Sequence, residues 1–294
     1  MTKTKVAVLR GGQSSEYEIS LKNGASVLNN LSNEKYDATD IFVDKNGEWY
    51  VGGIQKKPEV ALADIDVVWN ALTPNDDVQK IFDDVSLPYT GSSFSMNKVL
   101  TKKALAGYGI KMPYHIELSK NDWQIKMPDE IFRTAPNPSV IKNVSSDFSI
   151  DTTIVRDFFD LQNALEKTFA VSDSIMIEEY IDGREATCGV IENFRGKDLY
   201  ALPTAEGEIC PSNFSRDVKD EIEHLAVLIH KTLGLSHYSR SDFIVHPKRG
   251  IYFLETDVLP EITEESLMLK SIEAVGSSLP EFLDHIITIA INEK

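Results

Sequence analysis

The chain has 294 residues, of which 42% are hydrophobic and 26% charged, the balance of a globular protein with room for two or three lobes. A formal net charge of −16 and the lack of a basic stripe argue against nucleic acid as a partner, although a few lysines are enough to hold an anionic substrate. We find neither a secretory leader nor an apolar run of the ~18 residues that a membrane span needs, so no membrane partner is expected. Cys188 and Cys210 lack metal-like spacing, which favours a reducing cytoplasm, and both are expected to be buried rather than nucleophilic.

A strand, a glycine turn and a helix open the sequence. Lys5–Leu9 is a short apolar strand, an R-G-G turn follows, and Ser15 with Glu18 fits the capping box of a helix. The turn is neither G-x-G-x-x-G nor a P-loop, so by itself it predicts no nucleotide phosphate site. Strands at Thr39–Val43, Ile65–Asn70 and Leu87–Thr90 and a helix at Val78–Val85 continue the alternation. This order predicts an α/β lobe with a parallel sheet through about residue 93.

The middle and the end of the chain contain further helix and strand patterns. A helix over about Ser95–Tyr108 carries Lys98, Lys102 and Lys103. The other predicted elements are the strands Ser139–Lys142, Ser174–Glu178 and Glu185–Glu192 and the helices Leu161–Phe169, Asp217–Leu233, Leu267–Val275 and Leu279–Ile291. Neither an internal repeat nor a low-complexity linker interrupts them.

The segment Tyr238–Asp257 predicts an antiparallel hairpin, because two β-rich runs flank the turn sequence P-K-R-G. The turn fixes a register in which Asp242 faces Glu255 and Arg240 faces Asp257, with all four side chains on one face of the sheet. Carboxylates that face each other repel unless a cation lies between them. Oxygen ligands alone suit Mg²⁺ or Mn²⁺ better than zinc. The hairpin therefore predicts a metal site, and the alternative is a solvated acidic face beside Arg240.

Four blocks of sequence, in order along nearly the whole chain, resemble the D-alanine–D-alanine ligase family. They are VAVLRGGQSSEYEISLKNGASVLNNL (6–31), LPYTGSSFSMNKVLTKKALAGYGIKMP (87–113), IMIEEYIDGREATCGVI (175–191) and residues 232–267. The resemblance implies the ATP-grasp fold, an α/β architecture in which ATP lies between two antiparallel sheets. Its lobes would be an N-terminal parallel α/β substrate-binding lobe (1–93), a central ATP-grasp lobe (94–177) and a C-terminal catalytic ATP-grasp lobe (178–294), the last two of α+β type.

The same resemblance implies a reaction and its partners. Two D-alanines would be joined to D-alanyl-D-alanine through an acyl phosphate, with ATP and Mg²⁺ or Mn²⁺, to make a peptidoglycan precursor. The small molecules D-alanine and ATP would be the substrates, and a cytoplasmic homodimer is the common state in the family.

The resemblance assigns site residues position by position. Lys98 and Lys142 would bind the ATP phosphates; adenine would meet Glu178 and the backbone of Glu179, Tyr180 and Ile181, and the ribose would meet Glu185. Asp242, Glu255 and Asp257 would bind the metal, although the family usually has Asn at the last position. Glu16 would bind the ammonium of the first D-alanine, Arg240 the oxyanion, and Ser266 would help to position the second carboxylate. From the residues alone, the lysines could equally be surface residues, Glu178 and Glu179 solvated strand ends, and Glu16 a helix-capping carboxylate.

Four departures from the family pattern leave other functions open. The histidine loop after the third strand is replaced by L-T-P-N-D-D (72–77), and the phosphate lid reads K-N-V-S-S-D-F-S (142–149), without glycine and with Asp147 near the phosphates. Only Pro203–Ile209 stands where a long lid loop is expected, and Glu261 replaces a glycine of the oxyanion loop. A carboxylate–amine ligase with another amino-acid substrate, and a catalytically impaired nucleotide-binding relative, therefore remain as alternatives.

Overall fold

The computed structural model describes residues 2–73, 76–92, 97–125, 128–144 and 153–292, without the side chains of residues 76 and 124. The chain divides into two compact units. Unit 1 consists of Met1–Ser95, Ala186–Ser241 and Thr256–Lys294, and unit 2 of Met96–Glu185 and Asp242–Glu255.

The start of unit 1 is a five-stranded sheet of order β4-β3-β2-β1-β5. Its strands are β1 (Thr4–Gly11), β2 (Tyr36–Val43), β3 (Trp49–Val51), β4 (Ile54–Lys56) and β5 (Val67–Asn70), and its helices are α1 (Tyr17–Asn30), α2 (Pro58–Ala61) and α3 (Asp76–Asp84). The predicted parallel core is confirmed, because β1 pairs in parallel with both β2 and β5. Gly11 ends β1 at φ +99°, and a Cβ there would lie 2.1 Å from the Val43 carbonyl oxygen, so glycine is required.

Three local predictions for this region need correction. The capping box of Ser15 and Glu18 is wrong, because α1 begins at Tyr17 with Glu16 as its N-cap residue and no side-chain cap. Leu87–Thr90 forms only a single bridge to β5 rather than a strand. The short strands β3 and β4 were not predicted; each has three residues and an exposed or half-exposed face, which leaves little hydrophobic pattern.

The last helix of unit 1 packs on the N-terminal sheet. It belongs to the later segments of this unit. They contain β11 (Lys197–Ala201) and the helices α8 (Arg216–Thr232), α9 (Leu267–Ala274) and α10 (Leu279–Asn292). Helix α10 packs on α1 and β5, and Trp69 of β5 lies against Tyr238 and Phe282 in the main core. Among the described residues no single helix is long and apolar enough to cross a membrane; α9 and α10 meet that test only jointly, with a bend of 97° between them.

Unit 2 contains a four-stranded sheet of order β6-β9-β7-β8. Its strands are β6 (His115–Ser119), β7 (Ser139–Asn143), β8 (Thr153–Val155) and β9 (Ser174–Glu179), and its helices are α4 (Lys98–Leu105), α5 (Lys120–Ile125), α6 (Pro128–Thr134) and α7 (Phe158–Phe169). All three strand pairs are antiparallel. The predicted β7, β9 and α7 are confirmed, whereas β6, β8, α5 and α6 were not predicted.

The remaining sheet contains β10 (Arg184–Phe194), β11, β12 (Tyr238–His246) and β13 (Gly250–Asp257), in the order β11-β10-β12-β13. The predicted hairpin is confirmed as β12 and β13, with Pro247–Arg249 between them. His246 closes the turn, since its Nδ1 accepts hydrogen bonds from the amides of Lys248 and Arg249. The unit boundaries pass through β10, β12 and β13, so residues 178–294 are shared between both units. The three-lobe division remains a prediction.

Candidate active site

Helix α4 brings two lysines of unit 2 into the protein interior. The Asn97 side chain accepts hydrogen bonds from the amides of Val99 and Leu100, so the helix begins at Lys98, later than the sequence predicted. Lys102 follows four residues later and therefore lies on the same helix face as Lys98. Both are buried, whereas the neighbouring Lys103 is largely exposed and pairs with Glu117. The alternative that Lys98 is a surface residue is thus excluded.

Glu178 lies between two lysines, Lys102 of α4 and Lys142 of β7. Its Oε1 lies 2.6 Å from Lys102 Nζ and its Oε2 lies 2.7 Å from Lys142 Nζ, and only 2% of the residue is exposed. Burial raises the pKa of the Glu178 carboxyl, but the charges of Lys102 and Lys142 outweigh burial and hold the pKa below its ordinary value. Burial lowers the pKa of Lys102, and Glu178 opposes that shift. The group is a buried, charged triad rather than a solvated strand end.

Lys98 is held by the hairpin. Its Nζ donates a hydrogen bond of 2.6 Å to Glu255 Oε2 on β13, and both side chains are largely buried. The two lysines assigned to ATP phosphates, Lys98 and Lys142, are therefore each neutralised by a carboxylate in this structure. If a triphosphate replaced either carboxylate, its oxygens would bind a lysine ammonium that is already in position.

The predicted adenine segment follows Glu178 directly. Glu179 is half-buried, and its Oε1 lies 2.7 Å from Arg249 Nη1, a charge that holds the pKa of Glu179 below its ordinary value. The amide of Glu179 donates to the Tyr114 carbonyl and that of Tyr180 to the Pro138 carbonyl. These two N–H groups are thus already used within unit 2.

Ile181, the last residue of this segment, belongs to an apolar cluster. Ile181 packs with Ile244 and Tyr252, and Leu254 borders the cluster. The glycine turn before β10 fits closely here, because a Cβ on Gly183 would lie 2.6 Å from the Ile244 side chain. Glu185, the predicted ribose ligand, is exposed at the start of β10.

Two side-chain contacts agree with the predicted register of the hairpin. In unit 1, Ser241 Oγ lies 2.7 Å from Thr256 Oγ1, and Arg240 Nη2 lies 3.5 Å from Asp257 Oδ2, as expected if each pair is directly opposed. Both members of the Arg240–Asp257 pair are largely buried. Asp242 is half-buried in unit 2, on the strand that leads to the turn.

The carboxylates of the hairpin are of the right chemical kind for magnesium but do not form a closed cage. Among the residues with described positions, no group of three or more His, Cys, Asp or Glu side chains is arranged to hold a metal ion. Instead, Glu255 accepts from Lys98, and Asp257 lies beside Arg240. Magnesium is usually bound by one or two carboxylates together with substrate phosphates and waters. The donor set therefore fits an ion that arrives with a triphosphate.

The residues assigned to the amino acids lie in unit 1. Glu16 is 7% exposed at the start of α1, and its Oε2 accepts a hydrogen bond of 2.8 Å from Thr73 Oγ1. Its carboxylate therefore does not cap the helix. Ser266 is the N-cap residue of α9, where its Oγ accepts from the Leu269 amide. With the exception of Asp257, the predicted nucleotide and metal residues all belong to unit 2.

The structure shows the local conformation at two of the departures from the family pattern, the short connection after β11 and Glu261. After β11 the chain makes a tight turn in which Glu206 and Ile209 exchange two backbone hydrogen bonds of 2.9 Å, so the short connection forms no long lid. Glu261 is not among the residues with positive φ in the part of the chain that is described. Its Oε1 accepts from Thr263 Oγ1. Asp147 and most of its lid lie outside the described residues, as do Pro74 and Asn75 of the replaced histidine loop.

The sequence did not predict a function for two residues of the site, Lys102 and Thr73. Lys102 was placed on the helix without a function, although its spacing of four from Lys98 was a usable signal. Thr73 was noted only as part of an altered loop, and nothing in the sequence near it indicates its bond to Glu16, 57 positions away. Cys188 is buried, as predicted, whereas Cys210 is only half-buried. Burial raises the pKa of both thiols.

Comparison with known sequences covers most of the chain. A profile described as D-ala D-ala ligase N-terminus matches residues 5–65, and one described as D-ala D-ala ligase C-terminus matches residues 104–206 and 200–288. A D-alanine–D-alanine ligase of Clostridium botulinum (strain Eklund 17B / Type B) is 29% identical over 304 aligned positions, which cover 98% of both chains. One of Caldicellulosiruptor bescii is 28% identical over 352 positions, with 100% of this chain and 97% of the relative covered. The excess of aligned positions over 294 residues means that this relative carries stretches that the present chain lacks.

Solved structures agree with the sequence comparison. The D-alanine–D-alanine ligase of Coxiella burnetii superposes with a TM-score of 0.84 at 27% identity, over 99% of this chain and 96% of that one. The Bacillus anthracis ligase, solved in complex with ATP, gives a TM-score of 0.82 at 26% identity, over 99% of both chains. The predicted ATP-grasp fold is thereby confirmed.

Proposed function

Because this chain belongs to the D-alanine–D-alanine ligase family, we propose that it joins two D-alanines to D-alanyl-D-alanine with the hydrolysis of ATP to ADP. The observation that carries this proposal is the set of buried lysines in unit 2, each of which is paired with a carboxylate. Such cations are costly to bury unless an anion meets them, and a triphosphate supplies more negative charge than Glu178 and Glu255 together.

The nucleotide half of the proposal uses residues that already contact one another. Lys98 and Lys142 would move from their carboxylates to the phosphates, and Lys102 would stay with Glu178 to keep its charge. Adenine would pack on the apolar cluster of Ile181, Ile244 and Tyr252. Because the amides of Glu179 and Tyr180 are already engaged, its polar edge would meet the carbonyls of that segment and the Ile181 amide. Glu185 would meet the ribose.

The amino-acid half would proceed in two transfers. The carboxylate of the first D-alanine, held through its ammonium by Glu16, attacks the γ-phosphorus, and ADP leaves as the acyl phosphate forms. The amine of the second D-alanine, positioned by Ser266, then attacks the acyl carbon. Arg240 would stabilise the oxyanion of the tetrahedral intermediate, which collapses with loss of phosphate.

Magnesium would be held at Asp242, Glu255 and Asp257, where it would offset the negative charge that gathers between phosphates and carboxylate. If Glu255 held the metal instead of Lys98, the Lys98 ammonium would be left to bind phosphate. We also propose that the enzyme works in the cytoplasm, as a homodimer, in the synthesis of peptidoglycan precursors.

Phosphate release tests this function directly. Purified protein is mixed with ATP, Mg²⁺ and each of a series of D- and L-amino acids, and the products are identified by mass spectrometry. We expect phosphate and ADP only with D-alanine, together with a product of the mass of the dipeptide. Lys142→Met tests a buried lysine of the site. Lys103→Met is its matched control, because Lys103 is exposed. Release with another amino acid, or with none, would overturn the proposal.

A further inference from the structure

The carboxylate of Glu16 is held by a closed ring of hydrogen bonds with two hydroxyl groups. The Glu16 amide lies 3.2 Å from Ser14 Oγ, Ser14 Oγ lies 2.8 Å from Thr73 Oγ1, and Thr73 Oγ1 lies 2.8 Å from Glu16 Oε2. The ring links the turn before α1 to the loop after β5.

The chemistry of the ring allows one direction of donation. An ionised carboxylate can only accept, so Thr73 must give its single hydroxyl proton to Glu16. Ser14 must then donate to Thr73 and accept from the Glu16 amide. Loss of the Thr73 hydroxyl would therefore remove one donor to Glu16 and the acceptor for Ser14.

The surroundings of the ring leave room for substitution. Ser14 and Thr73 line a cavity of about 270 Å³ whose other walls include Leu72 and Val78. Valine has the branched shape of threonine, so Thr73→Val replaces the hydroxyl with a methyl group of similar size.

We propose that Thr73 is a positioning residue that orients the Glu16 carboxylate toward the ammonium of the first amino acid. The inference rests on the proposed function, in which Glu16 binds that ammonium. A carboxylate that can rotate loses part of its interaction with a cation, since a hydrogen bond to a charged group is directional and strong.

The test follows the first transfer alone. Exchange of oxygen label between the bridging and non-bridging positions of the ATP β-phosphate needs only the first D-alanine, so its dependence on D-alanine concentration reports that site. For Thr73→Val we expect the half-saturating concentration to rise about 10-fold, the loss expected for a hydrogen bond to a charged group. Thr73→Ser keeps the hydroxyl and should stay within about 2-fold of the wild type.

Further variants separate positioning from general damage. Ser14→Ala should weaken the site less than Thr73→Val does, and the double variant should be no weaker than Thr73→Val, because both residues act through one ring. Thr288→Val is the matched control, since its hydroxyl bonds a carbonyl within α10. Binding of a fluorescent ATP analogue should be unchanged in all of them.

The possible failures can be told apart. Wild-type protein that shows no label exchange with D-alanine would refute the proposed function. Active wild-type protein with an unchanged half-saturating concentration in Thr73→Val would refute the function of Thr73. Additive losses in the double variant would also overturn the inference, because they would mean that the two hydroxyls act separately.

Discussion

Glu178 supplies the negative charge between two buried ammonium groups, and glutamine would remove that charge while keeping the shape of the side chain. Lys102 and Lys142 would then face a neutral amide at distances that are now 2.6 and 2.7 Å. Because volume is conserved, cavity formation does not contribute, and the effect on stability is electrostatic.

The size of the effect can be bounded in two ways. Removal of one partner from a buried ion pair typically lowers the free energy of unfolding by about 3–5 kcal/mol. The protein can limit this loss by releasing a proton from a lysine. Taking a lysine from its ordinary pKa of 10.5 to neutrality at about pH 7.5 costs about 4 kcal/mol, at roughly 1.4 kcal/mol for each pH unit. Because proton release limits the loss to about 4 kcal/mol, we expect Glu178→Gln to lower the free energy of unfolding by about 3–4 kcal/mol.

Urea unfolding followed by circular dichroism measures this loss, and hydrogen exchange of the β7 and β9 amides locates it in unit 2. The matched control is Glu117→Gln. This change breaks an exposed pair with Lys103, which lies on α4 next to Lys102. That control should cost less than about 1 kcal/mol. Adding Lys102→Met to Glu178→Gln should restore part of the stability, because it removes one of the unpaired charges.

Equal losses in Glu178→Gln and Glu117→Gln would refute the reasoning, since they would mean that burial does not set the strength of the triad. A double variant less stable than Glu178→Gln alone would contradict the electrostatic explanation and would point to packing by the Lys102 stem instead.

Three other predictions concern charge in the site. Arg240→Ala should lower dipeptide formation about 100-fold or more while binding of an ATP analogue is kept, and a parallel fall in nucleotide affinity would contradict the assignment to the oxyanion. Mg²⁺ with a non-hydrolysable ATP analogue should raise the melting temperature of the wild type but not of Glu255→Gln, and an equal shift in both would remove Glu255 from the metal site. Because the pKa of Glu178 is lowered on folding, its contribution to stability is present above its ordinary pKa of 4.5 and is lost as pH falls through the folded value. The difference in unfolding free energy between the wild type and Glu178→Gln should therefore shrink on acidification below pH 4.5, and a constant difference would show that the charge of Glu178 is not responsible.

Much of the site was accessible from local patterns. The hairpin register followed from the turn sequence and the twofold alternation of strands, which is why Arg240 does lie beside Asp257. The helix with Lys98 and the strand that ends at Glu178 also followed from periodicity. By contrast, the capping box of Ser15 and Glu18 failed, because α1 begins at Tyr17 and Glu16 rather than Ser15 is its N-cap residue.

The sequence by itself determined the parallel core of the N-terminal lobe, the acidic hairpin and the family resemblance, because these depend on short-range periodicity and on motifs that are contiguous. Only the tertiary structure decided which charges meet. The pairing of Lys102 with Glu178 joins residues 76 positions apart, and that of Lys98 with Glu255 joins residues 157 positions apart. Such pairs depend on how helices pack on sheets and on the burial that makes an unpaired charge costly, and neither can be read from spacing along the chain.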